Sequence, residues 1–246
     1  MRLWRRNLAG AVASSLDLIR IGVPNYQYRT LMYHSVAAHQ IKESTSDIYR
    51  MDRYRFGDHI DYLVDNFTVG SIDQVGVSLS FDDGFLDSFE VVAPILSARK
   101  IPFTVFVSSG HLEVGPPKFL DRKALLELGS IDEVTIGAHG HSHNPLGTMA
   151  LAEAKDELVR SRGTLEDLLC KPVDVMSFPH GSYNEAIIKL LPGLGYRKGY
   201  TSDFGANHDS SHQLKLKRTT IWDGDSVTVL RQKVMGCWDW MRLVRR

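Results

Sequence analysis

The chain has 246 residues, 43% of them hydrophobic and 24% charged, the proportions of an ordinary folded protein with apolar material enough for a sizeable core. Lysine plus arginine balance aspartate plus glutamate at 29 each, so no net charge directs the chain to nucleic acid or to acidic partners. Two cysteines, Cys170 and Cys237, are too few for a disulfide framework or a cysteine zinc cluster and read as structural thiols.

Residues 1–29 form a basic N-terminal segment carrying Arg2, Arg5, Arg6 and Arg20. The run Leu8 to Leu16 is short and weakly apolar, and Asp17 ends it, which makes a poor signal peptide. No apolar stretch approaches the length that spans a bilayer, so a cytoplasmic location is expected. A second basic stretch, residues 226–246, reads as a C-terminal helix with Trp238, Trp240 and Met241 near Arg242. These aromatics, with Trp4, either pack onto the domain or give the termini a peripheral contact with an anionic membrane surface. Nothing in the sequence sets the oligomeric state.

Residues 30–225 lie between as one domain, in which short apolar runs alternate with amphipathic segments. Candidate strands are Thr30 to Tyr33, Val77 to Phe81, Phe103 to Val107, Val134 to Ala138, Val173 to Phe178, Gly199 to Ser202 and Leu216 to Ile221, all rich in Val, Ile, Thr or Phe. Asp87 is placed to cap a helix carrying Val91, Val92, Ile95 and Leu96, and Asp121 a short one ending at Leu128. Thr148 is placed to cap the longest, with Leu151, Ala154, Leu158, Leu165 and Leu168 at helical spacing, and Asn184 begins another that stops near Pro192-Gly193. Strand–helix alternation of this kind predicts an α/β domain with a mostly parallel sheet. If the sheet closes into a barrel, functional residues collect at the C-terminal ends of its strands.

Four strand ends carry chemistry. Asp82 and Asp83 follow the strand Val77 to Phe81, ahead of Gly84. Two adjacent carboxylates at the end of a buried strand repel each other and are costly to desolvate. A cation resolves that conflict if one carboxylate ligates it and the other stays available as a base; an isolated Asp-Asp-Gly otherwise reads as a turn or a cap. After Val134 to Ala138 comes His139-Gly140-His141-Ser142-His143. Four-residue spacing on a single helical turn brings His139 and His143 to one ion and sends His141 elsewhere, while Pro145 forbids a long helix. Two histidines and one carboxylate make a three-ligand site with room for water or substrate. His34 ends the first strand, and Phe178-Pro179-His180-Gly181-Ser182-Tyr183-Asn184 ends another.

Together these segments resemble the polysaccharide deacetylase family, the NodB-homology group of carbohydrate esterases. The resemblance rests on Ser80 to Gly84, on His139-x-x-x-His143 followed by Pro145-Leu146, on Phe178 to Asn184, on Ala93 to Val107 and on the opening Leu31 to Val36, and it covers Thr30 to Ile221. It implies an irregular, incompletely closed (β/α) barrel of about seven strands. It also implies a hydrolase that removes the N-acetyl group from an amino sugar of a polysaccharide, an oligosaccharide or a glycan precursor. By the same resemblance Asp83, His139 and His143 ligate a divalent ion, usually zinc, with cobalt, nickel or iron compatible with the same donors. Asp82 is then the base, and Pro179, His180 and Gly181 lie beside the substrate, with a backbone N–H of the His180-Gly181 turn at the oxyanion.

Two departures bear on mechanism. Where the family often has Arg-x-Pro-Tyr, this chain has Ser177 and His180 in place of the arginine and tyrosine. The late motif with a histidine acid is replaced by Leu216 to Ile221. A subgroup with an early Tyr-His pair draws its acid from that histidine, which here is His34, and Arg218 is placed to substitute for the absent arginine beside Asp82. The departures also leave open a non-catalytic glycan-binding protein, or an amidohydrolase acting on a lipid- or nucleotide-linked sugar.

Overall fold

The computed structural model describes residues 10–15, 28–37 and 48–243. Most of the basic N-terminal segment, with Trp4, Arg2, Arg5, Arg6 and Arg20, lies outside the described residues, as do Arg245 and Arg246. The strands in chain order are β1 Arg29–Tyr33, β2 Ser35–Ala37, β3 Arg50–Asp52, β4 Val77–Phe81, β5 Phe103–Val107, β6 Val134–Ala138, β7 Val175–Ser177, β8 Lys198–Tyr200 and β9 Arg218–Thr220. Seven of them form one all-parallel sheet in the order β8-β7-β6-β5-β4-β1-β9. Its two edge strands meet through the Tyr200–Leu216 bridge rather than a full ladder, which gives an incompletely closed barrel. The remaining pair, β2 and β3, forms a small parallel ribbon beside the barrel mouth.

Alternation within the strands sorts side chains to two faces. Leu31, Tyr33, Leu79, Phe81, Val105 and Val107 pack with helix residues such as Leu125, Leu128, Leu158 and Leu165 in the main core. The opposite face gathers Phe106, Val175, Tyr200 and Leu216 with buried Ser78, Ser80, Thr104 and Arg218. The later strands are shorter than the runs Val173 to Phe178, Gly199 to Ser202 and Leu216 to Ile221, because the chain leaves the ladder early to build the mouth.

Asp121 and Asn184 cap their helices as expected, accepting the N–H groups of Ala124 at 2.8 Å and Ile187 at 3.0 Å. The helix Leu151–Leu169 starts after Ala150 rather than Thr148, whose hydroxyl is spent on the Pro145 carbonyl. Asp87 makes no cap bond either: a π-helical turn, Ser88–Val92, leads into Ala93–Ser97. Its carboxylate instead accepts the Ser35 hydroxyl at 2.5 Å and so ties β2 to the end of the β4 turn. The helix Arg53–Asn66, capped by Asp52 and burying Phe56, Ile60 and Leu63, was absent from the sequence reading although both signals are present.

Among the described residues the C-terminal segment packs inward. Trp238 and Met241 are buried with Phe204, Trp222 and Ala13 in a second core. Lys233 lies 3.6 Å from the Trp222 ring centre and pairs with Asp225, and Arg29 pairs with Asp239 at 2.9 Å. No helix among the described residues is long and apolar enough to cross a membrane.

Burial raises the Asp87 carboxyl from its ordinary 3.8 to about 6, against the opposing hydrogen bonds from Ser35 and Val36. A folded-state value above the unfolded one means that the protonated acid stabilises the fold below pH 4 and that this contribution is lost as pH rises through 6. The gap is worth roughly 2–3 kcal/mol, allowing for the partial exposure of the group. The stability of Asp87→Asn relative to wild type should therefore rise by about that amount between pH 4 and pH 7 in urea titrations; a pH-independent difference would contradict it.

Candidate metal centre and active site

Each candidate residue sits where a strand gives way to a loop. Asp82 donates its backbone N–H to the Tyr33 carbonyl at 3.1 Å, which continues the β1–β4 ladder by one residue. Asp83 and Gly84 then both adopt left-handed backbone, at φ of 75° and 74°. Gly84 is required there twice over, since a Cβ would also approach Val107 Cγ1 to 3.0 Å. Asp83 accepts that conformation with a brace, as His111 donates its Nδ1–H to the Asp83 carbonyl at 3.0 Å and stacks on Phe119.

His139 and His143 converge as the sequence requires, but not on a helical turn. Residues 139–145 contain no helix. The chain bends through positive φ at Gly140 (69°) and His143 (61°), which brings the second imidazole back over the first. Asp83 Oδ1 lies 3.3 Å from His139 Nε2 and 2.9 Å from His143 Nε2. Among the described residues these three are the side chains whose donor atoms fall within 4.8 Å of one another.

The donor chemistry fits a cation. His139 Nδ1 is 3.0 Å from the Ser177 carbonyl, an atom that only accepts, so Nδ1 carries the proton and donates it. The Ser177 hydroxyl lies 2.5 Å from the same nitrogen. Nε2 of a neutral His139 is then a bare lone pair facing a carboxylate oxygen, and two acceptors at 3.3 Å need a positive charge between them. Donors about 2 Å from a tetrahedral ion stand roughly 3.3 Å apart, close to the 3.3 Å and 2.9 Å found from Asp83 to the two imidazoles. Burial opposes ionisation of Asp83; without an ion, hydrogen bonds donated by the two imidazoles outweigh it and hold the carboxyl far below the usual range. The same contact raises His143 against its own burial.

Asp82 has a different partner. Its two oxygens accept from Arg218 Nη1 at 2.6 Å and Nη2 at 2.7 Å, a bidentate pair in which the arginine is fully buried and the aspartate 3% exposed. Arg218 is itself fixed by the Thr201 carbonyl, the Ser80 hydroxyl and the face of Phe106. Burial alone would raise Asp82; Arg218 reverses this and keeps it ionised below its ordinary value.

A cavity of about 510 Å³ opens over these groups, with Met32, His34, Tyr49, His180, Gly181 and Asp203 also in its wall. The His34 ring packs on Tyr49 at 4.4 Å, its Nδ1 is buried with no hydrogen-bond partner among the described residues, and burial lowers its pKa against the pull of Asp82 and Asp83. His180, itself at φ 58°, donates Nε2–H to the His143 carbonyl at 3.2 Å. Pro179 packs on Gly140, where a Cβ would come 3.2 Å from its ring. The Gly181 N–H is already given to the Phe178 carbonyl at 2.8 Å, so it does not serve an oxyanion. Sequence reasoning did not single out His111, Tyr49 or Asp203. Tyr49 and Asp203 come from loops and His111 from the start of a four-residue helix, and only the fold brings them here.

A polysaccharide deacetylase family profile matches residues 71–199, just over half of the chain. The chain belongs to the polysaccharide deacetylase family, which makes it a hydrolase acting on carbon–nitrogen bonds other than peptides. It is 23% identical to YxkH of Bacillus subtilis over 210 residues, covering 80% of this chain and 72% of that protein. It is 25% identical over 167 residues to the poly-β-1,6-N-acetyl-D-glucosamine N-deacetylase of Staphylococcus aureus, covering 63% of this chain and 57% of that enzyme. The chain thus spans little more than half the length of that relative. In fold it is similar to the Streptococcus pyogenes deacetylase PplD in complex with acetate, with a TM-score of 0.76 at 22% identity over 86% of this chain and 99% of the other. A de-N-acetylase from Aggregatibacter actinomycetemcomitans gives a TM-score of 0.69 at 21% identity, over 84% and 99%.

Removing Arg218 leaves Asp82 as an uncompensated buried charge. Arg218→Met should cost about 3–5 kcal/mol in metal-free protein, and adding Asp82→Asn should recover part of that loss. Urea titration of the two single variants and the double variant measures it. A loss under about 1 kcal/mol for Arg218→Met would show that the pair is not formed.

Proposed function

We propose that the protein hydrolyses the N-acetyl group of N-acetylglucosamine units in a glycan or glycan precursor, with one divalent cation held by Asp83, His139 and His143 and with Asp82 as the base. The observation that carries this reading is the division of labour between neighbouring carboxylates. Asp83 faces two imidazole nitrogens, while Asp82 is turned away to Arg218, and both open onto one cavity. Zinc is the ion this mixed nitrogen and oxygen set suits best, and cobalt, nickel or iron fit the same donors. The cation, when bound, supplies Lewis acidity toward the acetyl carbonyl and toward water.

The chain's own residues do the rest. Arg218 occupies one lone pair on each Asp82 oxygen and leaves the others able to take a proton from water as it adds to the carbonyl carbon. Arg218 makes Asp82 a weaker base than a free carboxylate, and in exchange fixes its orientation inside a buried site. His34, across the cavity, gives a proton to the departing amine, which is a poor leaving group without one. Burial favours its neutral form, so it gains during turnover the proton that Asp82 took from water, which leaves Asp82 ionised again. The name of the Staphylococcus aureus relative supports an N-acetylglucosamine polymer as substrate, and the departures at Ser177 and His180 leave the metal donors and base intact.

Acetate release from N-acetylglucosamine oligomers, with and without added Zn²⁺ after chelation, tests the reading. Asp82→Asn should lower turnover at least 10²- to 10⁴-fold while retaining the ion, His139→Ala should lose ion and activity together, and His34→Ala should cost 10²- to 10⁴-fold. Near-normal turnover by Asp82→Asn, or by chelated wild type, would overturn it.

A further inference from the structure

Between the two histidines the chain must hold a fixed shape, and the side chain that holds it comes from outside the mouth. Glu157 lies two turns into the helix Leu151–Leu169, and it is buried to 9% exposure although a glutamate on a surface helix ordinarily faces solvent. One of its oxygens, Oε2, accepts the backbone N–H of His141 at 2.9 Å and that of Ser142 at 2.7 Å. These are the residues that carry the chain from Gly140 to His143 through the bend. The same helix reaches the loop a second time, as Arg160 donates to His141 Nε2 at 2.8 Å. His141 is therefore the neutral tautomer with its proton on Nδ1, given to Ser109 Oγ at 2.8 Å. The loop after β5 completes the frame: Ser109 N–H reaches the Gly140 carbonyl, Gly110 N–H the His141 carbonyl, and Ser108 Oγ the His139 carbonyl.

We propose that Glu157 is a positioning residue for the metal centre: by receiving the two central N–H groups of the 139–143 loop it sets the angle at which His143 meets Asp83, with Arg160 and His141 as the adjoining clamp. The proposal rests on the reading of Asp83, His139 and His143 as ligands. Its physical basis is that the loop passes through positive φ at both Gly140 and His143, a path that the backbone does not keep unaided. Without Glu157, two part-buried N–H groups lose their charged acceptor, and the loop is free to turn them toward water. The direct links that remain on His143, from Asp83 and His180, are made through side chains at its own end of the loop.

The test is Zn²⁺ affinity by chelator competition on the purified full chain, together with thermal unfolding of the metal-free protein and hydrogen exchange at the His141 and Ser142 amides. Wild type measures the metal reading itself: absence of Zn²⁺ binding there would sink that reading, and the proposal with it. Given binding, Glu157→Leu, which keeps bulk but has no acceptor, should weaken Zn²⁺ about 10- to 100-fold, the range for partners lying behind metal ligands. It should also speed exchange at both amides. Glu157→Gln retains an acceptor oxygen and should stay within about threefold of wild type. If Glu157→Leu does not fold, Glu157→Asp, which withdraws the carboxylate by one methylene, carries the same prediction at smaller amplitude. A purely structural role predicts lower metal-free melting with unchanged Zn²⁺ affinity in the folded protein, and that result would overturn the proposal.

Discussion

Two carboxylates adjacent in the chain can share the mouth of an apolar-walled barrel only if each is neutralised separately. In this protein the separation is made by backbone geometry. Asp82 finishes the β1–β4 register and points to the buried guanidinium of Arg218, and the left-handed step at Asp83 turns the next carboxylate toward the imidazoles. Were both residues extended, they would alternate across the sheet and one would face the helices. The turn thus sets one acid against a buried guanidinium and the other against two imidazoles.

Much of the fold was legible because the sheet is all parallel and covered by helices, so its strands are short continuous apolar runs that stand out between amphipathic segments. Val77 to Phe81, Phe103 to Val107 and Val134 to Ala138 match their strands end to end. Legibility fails where tertiary context sets local structure. Thr148 has the chemistry of a cap, and its hydroxyl is taken by Pro145; Asp87 is drawn away by Ser35. Helical spacing brought His139 and His143 together for the wrong reason, since positive φ at Gly140 and His143 does that work, and no periodicity reports it. Glu157 was invisible for another cause. On a helix read by apolar spacing, a glutamate counts as solvent-facing, and only the fold shows a loop folded over it.

The family's arginine position shows how a motif can be reassigned without losing its geometry. Ser177 cannot grip Asp82, and the guanidinium arrives from β9, on the other side of the barrel. Ser177 has other work: its carbonyl and hydroxyl hold His139 in the tautomer that frees Nε2. The substitution therefore moves charge neutralisation to one strand and leaves imidazole orientation to another.

That relocation ties the chemistry to the seam of the barrel. β9 is an edge strand, laddered to β1 alone, with β8 bridged only to Leu216 just ahead of it, yet it carries the guanidinium beside Asp82. Its flank is buttressed by the C-terminal segment, where Lys233 donates to the Thr220 carbonyl at 2.8 Å and Arg29 holds both Thr219 and Asp239. The C-terminal segment thereby acts as a strut for the strand whose guanidinium holds Asp82. Loosening it would reach Asp82 through Arg218 before it reached Asp83, His139 and His143, which hang from β4 and β6 in the middle of the sheet.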